Sequence, residues 1–363
     1  MNLPENQPLP PKPSLPSGLR ELPVLNPHLE LNAMNAVKVT SAISAAEAAR
    51  RPLSPSRARE IAAEKKPAWL KIRPPAGENY HQIKEMLNER KLHTVCQEAR
   101  CPNVAECWAS GTATFMLGGD TCTRACRFCA IKTMRRPPDL DPNEPDHIAS
   151  SVATLGLHYV VLTSVDRDDM VDGGAEHFAK TVSGIKTRNP KILVEALVSD
   201  FRGRVESIEA IVDSGVDVYA HNIETVKALQ YRVRDPRANY DQSLETLKVA
   251  KRIAAERRES AGRKPMFTKS SIMLGLGETE DELKEAFADL RAHGADVLTL
   301  GQYLRPTATH LPVERFYSPE EFAALEEIAR DYGFLYIAAG PLVRSSYRAG
   351  EFFIQSLLAT PAG

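Results

Sequence analysis

The sequence predicts an α/β protein built on a partial, three-quarter (βα)6 barrel of the TIM type. Apolar runs rich in β-branched residues alternate along the chain with stretches whose apolar residues recur at helical spacing. Strand–helix repeats of this kind indicate parallel strands joined by right-handed crossovers, and six of them curl into an open or three-quarter barrel. With 363 residues and 43% apolar content, the chain can bury the core that such a domain needs.

The individual elements follow from the pattern beyond Gly111. The predicted strands lie at 112–117, 159–163, 192–198, 217–222, 270–276 and 296–302. The predicted helices lie at 148–155, 175–188, 205–214, 242–257 and 281–293. Because the chemistry of such barrels gathers at the carboxyl ends of the strands, we expect the functional residues in the loops that follow them.

Four regions are predicted along the chain. Residues 1–65 form a proline-rich extension that we expect to be largely disordered, since residues 1–75 hold 13 of the 26 prolines. Its early acids, Glu5, Glu21 and Glu30, favour a plain extension over a transit peptide. The other regions are an N-terminal region at 66–110, the barrel at 111–310 and a C-terminal region at 311–363.

Composition argues against two classes of partner. A formal net charge of −1 disfavours nucleic acid, because neutralising phosphates takes a basic excess. The chain has no apolar run of about 18 residues, so no membrane span is predicted. Nor does it begin with the basic and then apolar pattern of a signal peptide, and we therefore expect a cytoplasmic protein.

The six cysteines all fall between positions 96 and 129, in two triplets. The second triplet is Cys122-x3-Cys126-x2-Cys129, on the loop after the first predicted barrel strand. Thiolates at this spacing on one curled loop can bind three corners of an iron–sulfur cube and leave the fourth iron open to a small chelating ligand. Phe128, just before the last cysteine, favours an apolar wall for a flat group beside the cube. We call residues 122–129 the cluster loop.

The first triplet is Cys96-x4-Cys101-x5-Cys107, which we call the auxiliary triplet. Two other interpretations of the cysteines are open. Six cysteines could form three disulfides, but nothing else in the chain is typical of a small secreted scaffold. A structural zinc site usually pairs its cysteines as C-x2-C twice over, and two triplets, each one thiolate short of four, fit that pattern poorly.

Polar or glycine residues accompany several predicted strands. Gly173 and Gly174 follow the second strand, where they either let the backbone approach a ligand or simply form a turn. Glu195, inside the apolar third strand, either faces the barrel mouth and accepts ribose hydroxyls or forms a salt bridge. Asn222 and Glu224 likewise place polar side chains at the end of the fourth strand, where the same two roles are open.

Several motifs together resemble those of one enzyme family. The cluster loop matches the CxxxCxxC pattern of the radical S-adenosylmethionine (SAM) superfamily, and the spacing of the auxiliary triplet matches lipoyl synthases. Further matching segments lie at 97–103, 172–175, 234–237, 301–306 and 340–347. Over about residues 66–350, outside the N-terminal 65 residues, the chain thus resembles the lipoyl synthase family.

The resemblance implies two [4Fe-4S] clusters and S-adenosylmethionine as cosubstrate. Cys122, Cys126 and Cys129 would hold the cluster that binds SAM and cleaves it reductively to a 5′-deoxyadenosyl radical. The auxiliary triplet would hold a second cluster, carried between the N-terminal and C-terminal extensions of the barrel. Ser346 would be the fourth ligand of that cluster, with Ser345 as the alternative. Spacing alone favours a different role for both serines, as caps of a helix at 347–358.

The implied reaction inserts sulfur at carbons 6 and 8 of an octanoyl chain, with the auxiliary cluster as sulfur donor. The octanoyl group is carried on a lysine of a lipoyl domain or of a glycine-cleavage H protein. Further implied partners are an electron donor such as ferredoxin or flavodoxin and an iron–sulfur carrier that rebuilds the cluster. The expected cosubstrate contacts are Phe128, Gly173, Gly174, Glu195 and Asn222. Ala175 stands where the wider superfamily commonly has glutamate, which leaves the holder of the methionine amine open.

Other polar residues receive plainer interpretations. The basic run of Arg124, Arg127, Lys132, Arg135 and Arg136 is typical of a solvated face, and we hypothesise that it docks an acidic carrier. Asp166, Asp168 and Asp169 are interpreted as a solvated or ligand-positioning loop. His221 is expected to be structural.

Two rival functions stay open. A biotin-synthase-like sulfur inserter shares the second triplet and the barrel, but it does not explain the auxiliary triplet together with Ser346. A non-catalytic zinc or iron–sulfur module would explain the cysteines without the reaction. Such a module would not cleave SAM.

Overall fold

The computed structural model describes most of the chain beyond residue 113. The described residues are 67–70, 85, 87, 90, 92–94, 98, 103, 104, 107, 114–155, 157, 159–262 and 264–346. The proline-rich extension at 1–65, the cysteines at 96 and 101 and the helix predicted at 347–358 lie outside them.

The described residues form ten strands. These are β1 His93–Thr94, β2 Thr114–Leu117, β3 Thr121–Cys122, β4 Lys132–Thr133, β5 Tyr159–Ser164, β6 Leu193–Leu197, β7 Val218–Ala220, β8 Phe267–Leu274, β9 Val297–Gln302 and β10 Tyr336–Gly340. Eight of them form one sheet in the order β1-β2-β5-β6-β7-β8-β9-β10. The pairings from β2 to β10 are parallel, and β1 pairs with β2 antiparallel. Strands β3 and β4 pair separately.

Seven α-helices join these strands in the described part of the chain. They are α1 Glu144–Thr154, α2 Ala175–Arg188, α3 Val205–Asp213, α4 Gln230–Val233, α5 Tyr240–Ala261, α6 Glu280–Ala292 and α7 Pro319–Arg330. Helix α6 begins after Thr279, whose side chain accepts the N–H of Glu282 while the Glu282 carboxylate accepts the N–H of Thr279. This reciprocal cap is a local signal that fixes where the helix starts. None of the described helices is long and apolar enough to cross a bilayer.

The alternation of strands and helices confirms the predicted architecture. All six predicted strands and all five predicted helices form, with ends shifted by a few residues. Strand β10 adds a seventh parallel strand, which the weak β-composition of Ala338–Gly340 concealed. The described sheet ends at β1 on one side and β10 on the other, so the barrel is open.

Alternate residues of each strand serve two different cores. Val160 and Leu162 of β5 belong to the large apolar core that includes the helices. Tyr159 and Val161, on the opposite face of the same strand, pack with Val218 in a smaller cluster. Burial on both faces is typical of parallel strands in a barrel.

A charged pair lies within the smaller core. Lys269 of β8 donates from Nζ to both carboxylate oxygens of Glu195 at 2.8 and 2.9 Å, and the Tyr159 hydroxyl donates to Oε2 at 2.5 Å. Glu195 is 1% exposed and Lys269 is 2% exposed. Neither charge is hydrated, so each depends on the other for its stability.

Replacing Lys269 with methionine would leave the Glu195 carboxylate buried without its cation. We expect the free energy of unfolding to fall by about 3–5 kcal/mol. Urea unfolding of the cluster-free protein, followed by circular dichroism, measures the change. The double variant Glu195→Leu/Lys269→Met removes both charges and should recover most of the loss. Equal destabilisation by the single and double variants would contradict this interpretation.

Candidate active site

The cluster loop lies at the carboxyl end of the barrel strands, where the sequence predicted it. It follows β3 and crosses the end of β5, because the backbone N–H of Thr123 donates to the carbonyl of Asp166 at 2.9 Å. Within the loop, the N–H of Cys129 donates to the carbonyl of Cys126 at 3.1 Å. This bond curls the chain between the second and third thiols.

Backbone amides point at the sulfurs of the cluster loop. The Sγ of Cys122 accepts the N–H groups of Arg124 at 3.4 Å and of Asp166 at 3.3 Å. The Sγ of Cys126 accepts the N–H of Asp235 at 3.3 Å. Such donors stabilise negative charge on cluster-bound sulfur.

Burial acts on the thiols in the opposite direction. It raises the pKa of Cys122 well above its ordinary value, with a further rise from the neighbouring Asp166 carboxylate. Burial also raises the pKa of Cys126 to about 12 and that of Cys129 to about 11. Iron atoms bind cysteine as thiolate, so binding of a cluster would have to displace the protons of these thiols.

A buried guanidinium fixes the cluster loop to two neighbouring strand ends. Arg124 is 3% exposed. It donates to Asp168 at 2.9 and 3.0 Å and to Asp200 at 2.8 and 2.7 Å, and its Nη1 lies 3.4 Å from Asp166. Asp166 and Asp168 follow β5, and Asp200 follows β6. We call Arg124 and these three aspartates the arginine hub.

The arginine hub corrects the expectation for Arg124 and excludes the solvated alternative for Asp168. We placed Arg124 in a solvated, carrier-docking run, but its charge is neutralised inside the protein. Asp168 is not solvated either, because its side chain is 7% exposed and also pairs with Arg202 and Arg237. The other members of the basic run are exposed, as expected: Arg127, Lys132, Arg135 and Arg136.

Asp235 anchors the cluster loop at a third point. Its carboxylate accepts the N–H of Ala125 at 2.9 Å and the Nε–H of Arg237 at 2.8 Å. Arg237 also donates to the carbonyl of Thr123 at 2.7 Å. Burial opposes ionisation, but the hydrogen bonds from Arg237 and Ala125 hold the pKa of Asp235 well below its usual range.

The end of β7 presents a strained carboxylate and an unpartnered amide oxygen. Glu224 adopts a φ of 65°, which is rare for a residue with a side chain. The Asn222 amide donates to Glu224 at 3.1 Å, whereas its Oδ1 is buried without a hydrogen-bond partner. Strain and an orphan polar atom at a strand end are typical of a ligand site.

Phe128 joins the cluster loop to a cap over the barrel mouth. Its ring packs against a cluster that includes Tyr303, Leu311 and Val313. The N–H of Leu311 donates to the carbonyl of Arg127 at 3.2 Å, and the imidazole of His310 bonds the carbonyl of Cys129 at 2.8 Å. The ring is half-buried, so one part of it remains accessible, and its role as an apolar wall for a flat group stays a prediction.

The paired glycines form a helix start. Gly174, with a φ of 85°, precedes α2, and the Asp172 side chain accepts the N–H groups of Gly174 and Glu176 at 3.0 and 2.9 Å. Gly173, with a φ of 65°, lies against the ring of Phe201. This is the turn that we weighed against a ligand contact. The backbone N–H that contacts the Cys122 sulfur at the end of β5 is that of Asp166, not of either glycine.

Glu195 is occupied by the ion pair with Lys269. Both of its oxygens are hydrogen-bonded, and the side chain is directed toward Tyr159 at the start of β5 rather than the barrel mouth. The geometry therefore supports the salt bridge, the second of its two predicted roles.

His221 is structural, as expected. Its Nδ1 bonds the carbonyl of Val198 at 2.8 Å, and its Nε2 bonds the hydroxyl of Ser243 at 3.0 Å. Burial and the nearby Arg234 guanidinium lower the pKa of the imidazole to about 4.

Asn103, close to the last cysteine of the auxiliary triplet, contacts the C-terminal region. Cys107 is buried, and its N–H donates to the carbonyl of Asn103 at 2.9 Å. The Asn103 side chain donates to the carbonyl of Leu342 at 2.7 Å. Ser345 and Ser346, which follow within four residues, are half-buried.

The described residues do not bring three His, Cys, Asp or Glu side chains together around one ion. A zinc site needs its sulfurs about 2.3 Å from a single centre. A four-iron cube gives each thiolate an iron of its own at a separate corner, so the ligands lie further apart. Cys122, Cys126 and Cys129 are free thiols.

Three site residues had no predicted role. Asp200 follows a predicted strand, and a carboxylate at such a position is the signal that could have identified it. Asp235 lies in the 234–237 motif that we noted without a function. Asn103 lies in the 97–103 motif, but its partner is 239 residues away, a distance that spacing cannot bridge.

Two family models match the chain. One describes the radical SAM superfamily and matches residues 116–290. The other describes the N-terminal domain of lipoyl synthase of the radical SAM family and matches residues 14–101. The second match begins well before residue 66, where we placed the start of the resemblance, and it crosses the predicted boundary at residue 65.

Curated relatives match over most of the chain. A mitochondrial lipoyl synthase from Danio rerio is 58% identical over 297 residues, which cover 80% of this chain and 72% of the relative. One from Rattus norvegicus is 57% identical, covering 81% and 78%. A chloroplastic lipoyl synthase from Ricinus communis is 56% identical, covering 81% and 80%. The chain belongs to the lipoyl synthase family of the radical SAM superfamily.

Proposed function

We propose that this protein inserts two sulfur atoms at carbons 6 and 8 of a protein-bound octanoyl-lysine and so makes the lipoyl group. The observation that carries the proposal is the cluster loop: three thiols at a barrel mouth, with amide donors aimed at their sulfurs, in a chain of this family. A biotin-synthase-like enzyme would need the same loop but would not explain the auxiliary triplet together with Ser346.

The donor set fits two [4Fe-4S] clusters. Cys122, Cys126 and Cys129 would hold the first, and the auxiliary triplet with Ser346 would hold the second. When bound, the clusters and SAM supply the reductive cleavage, the radical and the inserted sulfur. A serine oxygen is a harder ligand than thiolate, so the Ser346 corner would be released most easily from a cluster that gives up sulfide.

The chain contributes positioning and exclusion of water. The arginine hub and Asp235 hold the cluster loop at three points, and the Phe128 ring offers an apolar surface beside the last cysteine. Asn222, with its unpartnered oxygen, and Glu224 are the side chains that we assign to the cosubstrate at the end of β7. Gly173 and Gly174 would contribute only through their backbone. Glu195 is left out, because Lys269 and Tyr159 occupy its oxygens.

The proposal also includes the carrier, the redox and repair partners and the compartment. We propose an octanoylated lipoyl domain or H protein as substrate, a ferredoxin or flavodoxin as electron donor and an iron–sulfur carrier for cluster repair. The cytoplasm stays our prediction for the compartment. The three relatives are named as mitochondrial or chloroplastic, which makes those organelles the alternatives. Imaging of a tagged full-length chain in its own cell distinguishes them.

The test of the function begins with protein purified without oxygen. Iron and sulfide are counted per chain, and SAM, a reductant and an octanoyl-lysine peptide are then added while the products are followed by mass. About eight irons, with lipoyl product near one per chain, support the proposal. Deoxyadenosine without sulfur insertion would instead indicate another radical enzyme, and colourless protein would indicate a zinc module.

Replacing Arg124 with lysine should remove the first cluster. A lysine ammonium cannot bridge Asp168 and Asp200 in the planar geometry that the guanidinium provides. We expect iron to fall from about eight to about four per chain and deoxyadenosine formation to drop by about 10–100-fold. Arg257→Lys is the control, since Arg257 pairs with Asp213 and Glu209 on the outer surface. Full iron in Arg124→Lys would show that the arginine hub does not hold the loop.

Replacing Ser346 with alanine should separate the two half-reactions. We expect deoxyadenosine formation within about twofold of wild type but at least about 10-fold less sulfur insertion, because only the auxiliary cluster loses a ligand. Ser345→Ala is the matched control and should retain both. If Ser345→Ala loses sulfur insertion and Ser346→Ala retains it, the ligand is Ser345.

Reversing Arg135 and Arg136 to glutamate should impair use of the carrier. Both side chains are exposed near the cluster loop, and an acidic carrier would be repelled. We expect the KM for the carrier to rise about 10-fold, with an unchanged KM for an octanoyl-lysine peptide. Lys248→Glu/Arg252→Glu, an equal charge change on α5, should alter neither constant. An equal effect on carrier and peptide would contradict docking at this surface.

A further inference from the structure

Gly301 of β9 lies directly beneath the turn that carries the two serines. A Cβ built on Gly301 would meet the carbonyl oxygen of Val343 at 2.1 Å and the carbonyl carbon at 3.1 Å. Both atoms belong to the main chain, so no side-chain rotation relieves the contact. Glycine at this position therefore permits the close approach of the turn to the sheet.

The same turn is held from its other side by the auxiliary-triplet segment. The carbonyl of Leu342 accepts the Asn103 amide at 2.7 Å, and the carbonyl of Val343 accepts Nη1 of Arg344 at 2.7 Å. Asn103 is 5% exposed, and its own carbonyl accepts the N–H of Cys107. Asn103 thus links a buried cysteine to the residues just before Ser345, because its carbonyl bonds Cys107 and its amide bonds Leu342.

We propose that Gly301 and Asn103 are positioning residues for the auxiliary-cluster ligands: together they fix the turn at 341–346 so that its serine can reach the cluster that Cys107 would help to hold. The inference rests on the proposed function and adds to it two residues outside the ligand set. Gly301 sets the height of the turn above the sheet, and Asn103 sets its distance from Cys107. Neither residue contacts the cluster loop, so the first cluster should not depend on them.

The test uses Gly301→Ala in the full chain, purified without oxygen. The added methyl group forces the turn to shift by about 1 Å, since carbon–oxygen contacts lie near 3.3 Å. We expect iron to fall from about eight to about four per chain. Deoxyadenosine formation should stay within about twofold, and sulfur insertion should fall by about 10–100-fold. The iron count and the iron spectra report cluster loss independently of turnover.

Two further variants make the result decisive. Gly340→Ala is the matched control, because Gly340 pairs with Gly301 in register and its added methyl group meets only the Val343 side chain at 3.2 Å. It should retain both clusters. Asn103→Ala changes no residue of the sheet and should lose the auxiliary cluster alone. Full iron and normal sulfur insertion in both Gly301→Ala and Asn103→Ala overturn the proposal.

The remaining outcomes are also assigned. If Gly301→Ala loses both clusters and its cluster-free form melts at lower temperature, Gly301 is structural, and Asn103→Ala then decides whether the turn is positioned. If Gly340→Ala loses as much iron as Gly301→Ala, the main-chain contact at Gly301 has no special role and the proposal fails for that residue. If wild-type protein makes no lipoyl product, the proposed function fails, whatever the variants do.

Discussion

The site depends on one buried cation, the guanidinium of Arg124. It neutralises charge on carboxylates from two strand ends and belongs to the loop that carries the thiols, so loop and barrel cannot move independently. A cation removed from water and surrounded by aspartates is held strongly, because releasing it would leave several buried charges unpaired. Burial opposes ionisation of Asp200, yet the hydrogen bonds from Arg124 hold its pKa well below the usual range. The cluster loop that carries the thiols is thus held in place by ion pairs.

That arrangement explains how the other parts of the mouth are placed. Asp235 bonds one amide of the loop and directs its own N–H at Cys126, and the segment around Leu311 covers Phe128. The backbone at Glu224 is strained on the opposite wall. Strained backbone persists only where the surroundings overdetermine it, and the packed strands on both sides of β7 provide those surroundings. The same sheet therefore holds the cluster loop in place and maintains the strained backbone at Glu224.

Periodicity and spacing were sufficient to predict much of this molecule. The alternation of strands and helices required the barrel, and the cysteine spacing placed a ligand loop after its first strand. What remained hidden was the choice of partner for each charge. Arg124 occurs in a basic run that is typical of a protein surface, and Glu195 occurs in a strand that could have faced the barrel mouth. The partners of both residues come from other strands. Asn103 and Gly301 were hidden for a related reason, because their contacts join segments far apart in the chain.

The contact between Asn103 and Leu342 spans 239 residues and joins the two edges of an open sheet. Its length sets an order of events during biosynthesis. A nascent chain exposes its first cysteines early, but the serine turn leaves the ribosome only after the entire barrel has been translated, and domains fold from the N-terminus as they emerge. The auxiliary ligand set that we propose would therefore be a property of the finished chain alone. A ribosome that stops in the last helix of the barrel would release a protein that has the cluster loop but lacks the turn that we assign to the sulfur donor.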